Sequence, residues 1–383
     1  TGRTAPPTEY LARRKDGSSI SVYSTQVLIN NLAGDAEIYC IDIDLSDIHW
    51  LQNELQESSE RFRALFAYWS WVSCLPINEV RISEEEKQRS AAALVDICAA
   101  LEMFHAAALV HDDLLDNSDS RRGAPSVHKR FEQLHLANGW AGSPARFGQA
   151  GSVLAGDLML GWSSELFDAA VKRAPASVIA WNCRDEFAKM RVEVMAGQYL
   201  DVLEENAGPT RAPDEAVGRA NRVMLYKTAK YSIEAPLQIG AAFSGASPET
   251  LRGLSAFAIP LGLAFQLRDD VLGVFGSPEI TGKPAGDDLR EGKRTVLVAL
   301  ARQGLGLSTI KLFDEMMTNR DLTDEQVRLL QETIRGSGAL AKVEQMIEEL
   351  GNESLLALKQ LQLDDFGKEH LEQLARKVVN RES

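Results

Sequence analysis

His111-Asp112-Asp113-Leu114-Leu115-Asp116, followed by Arg121-Arg122-Gly123, closes a long Ala/Leu-rich run that reaches from Ala91-Ala92-Ala93-Leu94-Val95 through Ala106-Ala107-Ala108-Leu109-Val110. Such a run is built of strong helix formers and is apolar enough to be buried. At 3.6 residues per turn, Asp112 and Asp116 stand one above the other and Asp113 flanks them. A buried helix that ends in carboxylates needs a cation or hydrogen-bond donors there, because an isolated charge out of water is costly. Oxygen ligands at this density suit a hard cation such as Mg²⁺, which is usually shared between one or two carboxylates and substrate phosphates. Arg121 and Arg122 supply guanidinium forks that match phosphate oxygens.

The same logic recurs more than 150 residues further on. Leu261-Gly262-Leu263-Ala264-Phe265 leads into Gln266-Leu267-Arg268-Asp269-Asp270, and Lys283 and Lys293 follow. Two acidic helices facing each other, each flanked by basic residues, would hold a metal-bound diphosphate between them. Either stretch alone is commonly a solvated helix face; the pairing is what points to a site. Asp364-Asp365-Phe366-Gly367 has no such basic partners and reads as surface.

The 383 residues are 45% hydrophobic and 25% charged, enough for one large domain and a smaller piece. A net charge of −14 argues against nucleic acid as a partner, but not against an anionic substrate held by local cations and Mg²⁺. Cys40, Cys74, Cys98 and Cys183 lack metal-ligand spacing and read as reduced core thiols, so the protein is expected to be cytoplasmic. No charge-free stretch keeps apolar character over the ~18 to 20 residues of a membrane span, so no transmembrane segment is expected. The chain begins at Thr1 without a methionine, as a fragment would.

Residues 1–47 differ in kind. Ser19-Ile20-Ser21-Val22-Tyr23-Ser24 and Glu37-Ile38-Tyr39-Cys40-Ile41-Asp42-Ile43-Asp44 are β-rich, with turn signals at Lys15-Asp16-Gly17 and Ala33-Gly34-Asp35. Three antiparallel strands are the simplest reading. A helix from Asp47 would carry Ile48, Leu51, Leu55, Phe62 and Phe66 on one stripe as a linker over 48–66. Residues 67–383 then read as an all-α bundle after a loop at Ile77-Asn78-Glu79. Helices are expected over about 84–117, 147–172, 185–205, 213–242, 248–275, 288–303, 308–318, 323–335, 338–360 and 367–381, with no competing strand pattern.

From about Arg61 to the end, the chain resembles the trans-prenyltransferases, the isoprenyl diphosphate synthases, and most closely their geranylgeranyl-type members. The residues that carry the resemblance are Phe104-His105 through His111-Asp112-Asp113, Arg121-Arg122-Gly123, Gly156-Asp157, Gly197-Gln198-Tyr199-Leu200-Asp201, Lys227-Thr228, and Phe265-Gln266 through Lys293-Arg294-Thr295. Residues 1–47 look like the closing strands of a PAS sensor domain without its ligand-enclosing helices, so no cofactor is expected there.

The resemblance implies an all-α isoprenoid-synthase-type bundle that condenses isopentenyl diphosphate head-to-tail with an allylic diphosphate, giving geranylgeranyl diphosphate or a longer chain. It implies Mg²⁺, three ions with substrate bound, and a homodimer. Asp112, Asp116 and Asp269 would be the leading metal ligands, with Asp113 and Asp270 behind them. Arg121, Lys227 and Lys283 would hold the allylic diphosphate; Arg63, His105 and Arg122 would hold isopentenyl diphosphate. Thr228 and Gln266 would present oxygen dipoles to the carbocation, and Lys293 would close over the leaving group. Small residues at Ala107 and Ala108 would let the product chain grow toward the deeper Phe104.

The chain also departs from the pattern. Ser58-Ser59-Glu60-Arg61-Phe62-Arg63-Ala64 stands where the family has Gly-Gly-Lys-Arg-Leu-Arg-Pro, so Glu60 replaces a diphosphate-binding lysine. Gly273 occupies the place of a third aspartate. A non-catalytic PAS-fused protein that keeps the fold and Mg²⁺-diphosphate binding is the alternative from another class. A class I terpene cyclase would pair its aspartates with an Asn/Ser/Glu motif and would have no need of Arg121-Arg122 or of Lys283 with Lys293.

Overall fold

The structure is a computed structural model that describes residues 8–13, 19–30, 36–44, 62–75, 83–121, 123–175, 181–276, 286–319 and 321–380. Two compact units are separated at residue 61, Thr1–Arg61 and Phe62–Ser383. The first contains β1 (Thr8–Arg13), β2 (Ser19–Asn30) and β3 (Ala36–Asp44), in the order β1-β2-β3. Both pairings are antiparallel, with Thr8 opposite Ser24 and Val22 opposite Asp44. Three antiparallel strands are what the β-rich runs and turn signals predict. The linker positions from Asp47 to Arg61, Glu60 among them, and the loop at Ile77-Asn78-Glu79 lie outside the described residues.

The second unit is the all-α bundle. Its helices are α1 (Phe62–Cys74), α2 (Glu84–Leu115), α3 (Val127–Ala137), α4 (Pro144–Arg173), α5 (Trp181–Ala207) and α6 (Ala216–Val223). A π-helix (Met224–Glu234) runs directly into α7 (Ala235–Phe243). Then come α8 (Pro248–Phe275), α9 (Asp287–Arg290), α10 (Val296–Gln303), α11 (Leu307–Thr318), α12 (Asp324–Gly336), α13 (Ala339–Gln360) and α14 (Asp365–Val379). Their starts follow from local chemistry. Ser83 and Thr323 each close a capping box on α2 and α12. Pro144 and Pro248 enter α4 and α8 at the first helical position behind the caps Ser143 and Ser247. Asp364 caps α14, accepting from Gly367 N at 3.2 Å.

Three buried clusters fill the bundle. Leu94, Ile97, Phe104, Phe167, Phe187 and Phe243 form one. Leu267, Leu289, Val296, Phe313 and Val343 form the second, and Phe66, Leu237, Phe257, Leu261 and Leu371 the third. Within the described residues, α2 (from Glu85) and α8 are long and apolar enough to cross a membrane, but 50% and 44% of their apolar windows are buried inside the protein, as in core helices.

Four elements depart from the sequence pattern. The stretch 288–303 is not one helix: α9 stops at Arg290, Gly292 takes φ +66°, and Thr295 caps α10 by accepting from Val298 N. Lys293 therefore follows a turn instead of standing in a helix. The stretch 213–242 changes winding from 3₁₀ to α to π and back to α. Helix α3 interrupts a segment with no assigned element, since its apolar face is short. A two-residue ladder, Ser120–Arg121 against Ala124–Pro125, follows α2 although no strand pattern marks it.

Candidate active site

Helix α2 ends in the first acidic cluster. The Asp116 N–H caps it, donating to Asp112 O at 2.8 Å, and Asn117 then turns the chain at φ 53°. The ladder that follows folds Arg121 back against α2. Its Nε lies 2.8 Å and its Nη2 2.7 Å from Asp113 Oδ1, with Nη2 3.5 Å from Asp112 Oδ2. Asp113 is 3% exposed. It is spent on tethering Arg121, a use that the sequence pattern does not reveal.

Lys227 reaches the same cluster from the π-helix. Its Nζ lies 3.2 Å from Asp112 Oδ1 and 2.6 Å from Asp201 Oδ2 on α5. A close approach makes this possible: a Cβ on Gly197 of α5 would stand 2.4 Å from Lys227 N. Next to Lys227, the Thr228 hydroxyl donates to Gln266 Oε1 at 2.5 Å, and Gln266 Nε2 donates to Asp270 Oδ1 at 2.7 Å. The π-helix thus bridges the acid-bearing ends of α2 and α8. Mixed windings of this kind recur at functional sites.

The second cluster is Asp269, Asp270 and a third carboxylate that comes from elsewhere. The Asp269 side chain is exposed, with no hydrogen bond or ion pair to the described residues, whereas Asp270 is 3% exposed and its Oδ2 has no hydrogen-bond partner among the described residues. A Cβ on Gly273 would meet Asp288 Oδ2 at 2.1 Å, so the Asp288 carboxylate occupies the space that a side chain at 273 would need. Lys293 closes the gap between the clusters: Nζ lies 2.8 Å from Glu291 Oε2 and 3.6 Å from both Asp116 Oδ2 and Asp288 Oδ1.

The electrostatics separate the acids. Burial pushes Asp112 up, but Lys227, Lys293 and Arg121 outweigh it and hold the carboxyl down at about 2. Burial and the Asp112 charge push Asp116 up to about 7. Burial, with Asp288 next, drives Asp270 well above the carboxylate range. Burial opposes the charge of Lys227 and Lys293, yet the surrounding acids raise both, so both stay cationic. Asp116 and Asp270 therefore hold a proton more readily than an ordinary carboxyl, and a cation bound beside them would draw both toward the charged form.

The donor set fits a hard cation. All the candidates are carboxylates, Asp270 Oδ2 is a buried orphan, and among the described residues no three His, Cys, Asp or Glu close into a ready-made cage. An incomplete oxygen set is what Mg²⁺ uses when phosphates and water finish its shell.

A second group of predicted residues lies deeper. His105, two turns before Asp112 on α2, has Nδ1 3.1 Å from Tyr231 Oη. Arg63 on α1 donates from Nη2 to Ser232 Oγ at 2.8 Å and lies 4.8 Å from the Tyr231 ring centre. Arg122 and Lys283 lie outside the described residues. Asp201, Asp288, Glu291 and Tyr231 take part although the sequence reading assigned them no place in the site. Asp201 closes the quoted Gly197-Gln198-Tyr199-Leu200-Asp201 run, and Tyr231 stands four residues after Lys227, so both carried a positional signal.

An all-α bundle with two acidic helix ends bridged by lysines defines the isoprenoid-synthase type of fold. A polyprenyl synthetase family model matches residues 51–334, and the chain belongs to that family. A short chain isoprenyl diphosphate synthase of Methanocaldococcus jannaschii is 33% identical over 244 residues, which is 64% of this chain and 66%, just under two thirds, of that protein. A geranylgeranyl diphosphate synthase of Methanosarcina mazei is 31% identical over 76% of this chain and 80% of its own. Among solved structures, geranylgeranyl pyrophosphate synthase from Corynebacterium glutamicum, complexed with isoprenyl diphosphate and magnesium, superposes with a TM-score of 0.76 at 37% identity, covering 85% of this chain and 87% of that one.

Proposed function

We propose that the protein is a Mg²⁺-dependent isoprenyl diphosphate synthase that joins isopentenyl diphosphate to an allylic diphosphate and releases geranylgeranyl diphosphate or a longer product. The observation that carries this reading is Lys227, a cation fixed between Asp112 and Asp201 beside the acidic end of α2, with its neighbour Thr228 tied to Gln266 and so to Asp270.

In this chemistry the allylic C–O bond breaks with its electron pair leaving on diphosphate. The isopentenyl double bond attacks the carbocation, and a proton is then lost to restore a double bond. Mg²⁺, held by Asp112, Asp116 and Asp269 with Asp270 in support, would supply charge stabilisation to the departing diphosphate. Lys227, Lys293, Lys283 and Arg121 would bind and orient that diphosphate, with Arg121 aimed by Asp113. Thr228 and Gln266 would set oxygen dipoles beside the developing cation. Arg63, His105 and Arg122 would hold isopentenyl diphosphate.

The apolar face of α4 and α5 supports a homodimer. Leu154 on α4 and Val192 and Tyr199 on α5 are 63%, 71% and 66% exposed in the isolated chain, and Val153 and Met195 lie beside them. Buried free thiols at Cys74 and Cys183 accord with a cytoplasmic setting. Residues 1–47 we read as a partial PAS-like segment.

The test is incubation of the purified chain and Mg²⁺ with isopentenyl diphosphate and dimethylallyl, geranyl or farnesyl diphosphate, with products identified by mass spectrometry. Elongated diphosphates are the expected result. Mg²⁺-dependent allylic binding without elongation would favour the non-catalytic alternative, and the absence of both would sink the reading.

A further inference from the structure

The π-helix presents two rows of side chains, Lys227 with Tyr231 and Thr228 with Ser232, each four residues apart. The leading pair faces the acid-bearing ends: Lys227 meets Asp112, and Thr228 meets Gln266. The trailing pair repeats the arrangement one turn deeper, with Tyr231 meeting His105 and Ser232 meeting Arg63.

Arg63 is held in an unusual way. Among the described residues it has no carboxylate partner; it touches the Ser232 hydroxyl and the face of Tyr231, and its buried Nε has no hydrogen bond. A guanidinium held by neutral groups keeps its charge for an anion that arrives later, whereas one paired with a carboxylate has to be released first. His105 also lies among charged groups, Arg63 and Arg121 on one account and Asp112 on the other. Tyr231 is 5% exposed, and its ring packs 5.9 Å from that of Phe104, so it cannot swing away without opening the core.

We propose that Tyr231 is a positioning residue of the isopentenyl diphosphate subsite, its hydroxyl fixing the orientation and tautomer of His105 and its ring carrying the Arg63 guanidinium. This rests on the assignment of Arg63 and His105 to that diphosphate. The phenol O–H is the stronger donor of the pair and imidazole nitrogen the stronger acceptor, so the bond runs from Tyr231 Oη to His105 Nδ1. The ring proton then sits on Nε2, which makes His105 a neutral donor to a phosphate oxygen. Tyr231 thus orders two groups on two helices, α1 and α2, with one side chain, and Ser232 completes the hold on Arg63.

The experiment measures isopentenyl diphosphate binding by calorimetry and the KM of each substrate in wild type, Tyr231→Phe, Tyr231→Leu, His105→Ala and the Tyr231→Phe/His105→Ala double variant, with thermal midpoints as a folding control. Loss of one hydrogen bond should weaken isopentenyl diphosphate about fivefold in Tyr231→Phe, and KM for the allylic substrate should not move. Tyr231→Leu, which also removes the ring beneath Arg63, should weaken it by on the order of thirtyfold. In the His105→Ala background, Tyr231→Phe should have no further effect, a coupling that a merely structural role would not show. Equal binding by wild type and Tyr231→Phe, or parallel losses for both substrates, overturns the proposal while leaving the synthase reading intact. If the wild type binds no isopentenyl diphosphate, the subsite assignment and this proposal fall together.

Discussion

The Nζ of Lys227 stands 3.2 Å from Asp112 Oδ1, although 115 residues separate the two in sequence. This ion pair joins the π-helix to α2, and the 2.6 Å contact of the same ammonium with Asp201 extends it to α5. Lys227→Ala would remove the ammonium shared by two largely buried carboxylates, Asp112 and Asp201, and with it a ligand for the allylic diphosphate. Elongation should fall by about 100-fold or more, the size seen when a fixed donor to developing charge is removed. Steady-state assays with geranyl diphosphate test this; a loss under tenfold would mean that Lys227 serves folding alone.

Gly273 and Asp288 make the second prediction. The Asp288 carboxylate lies where a side chain at 273 would have to go. Because the colliding atom is the tip of a side chain, Gly273→Ala should fold and push Asp288 away from Asp270. Disturbing a carboxylate behind a metal ligand costs about tenfold in metal affinity, so the Mg²⁺ concentration for half-maximal elongation should rise by that factor. An unchanged Mg²⁺ dependence would show that Asp288 has no part in the metal site.

Much of this arrangement was legible because its signals are local. The helices α2 and α8 announce themselves as apolar runs that end in paired aspartates, and their caps, Ser83 and Ser247, are ordinary helix-start chemistry. What was hidden depends on distant packing. Nothing in Met224–Glu234 distinguishes π from α winding, and the close approach of α5 to it at Gly197 is a contact between distant stretches. The spacing of Asp112, Asp113 and Asp116 puts three acids together but does not say that Arg121 would fold back and claim Asp113. Asp288 looks like one acid in a polar loop until α9 brings it against Gly273. Lys293 was expected on a helix, yet its place between the clusters depends on the turn at Gly292.

Product length should respond at Phe104. Its side chain is 1% exposed and packs against Phe187 and Tyr231, at ring distances of 6.4 and 5.9 Å. It lies eight residues before Asp112, about 12 Å along the helix axis. Phe104→Leu should lengthen the longest product at modest cost in stability, whereas Ala107→Phe, overpacking a fully buried position, should shorten it at about 1–3 kcal/mol. Mass spectrometry of the products decides; an unchanged distribution in two active variants would sink the idea that this layer forms the floor.

His105 should give the fold a pH dependence of definite sign. Burial first, then the charges of Arg63 and Arg121, push its pKa well below 6.5, with only Asp112 opposing, while Tyr231 faces it as a neutral phenol. A depressed histidine costs nothing above its unfolded pKa. Below that value the unfolded chain binds a proton that the folded chain refuses, so stability falls as pH drops. Each pH unit over which the folded chain refuses that proton costs about 1.36 kcal/mol. Urea midpoints at pH 5 and 7 for wild type and His105→Gln isolate it: the variant should lose less stability on acidification, and equal losses would mean that His105 is protonated in the native state.

The exposed apolar face on α4 and α5 yields the last prediction. Leu154 and Val192, 63% and 71% exposed, sit on helices whose opposite sides pack Phe167 and Phe187 into the core, so their outward positions are not dictated by folding of the single chain. A surface of this kind is stable in water when a second copy covers it, and in a twofold dimer each residue is buried twice over. Leu154→Glu with Val192→Glu places four charges in such an interface, enough to shift the protein to monomer by light scattering. The thermal midpoint of the monomer should then become independent of protein concentration, whereas that of wild type should rise with it. If wild type is already a monomer at micromolar concentration, the apolar face needs another partner.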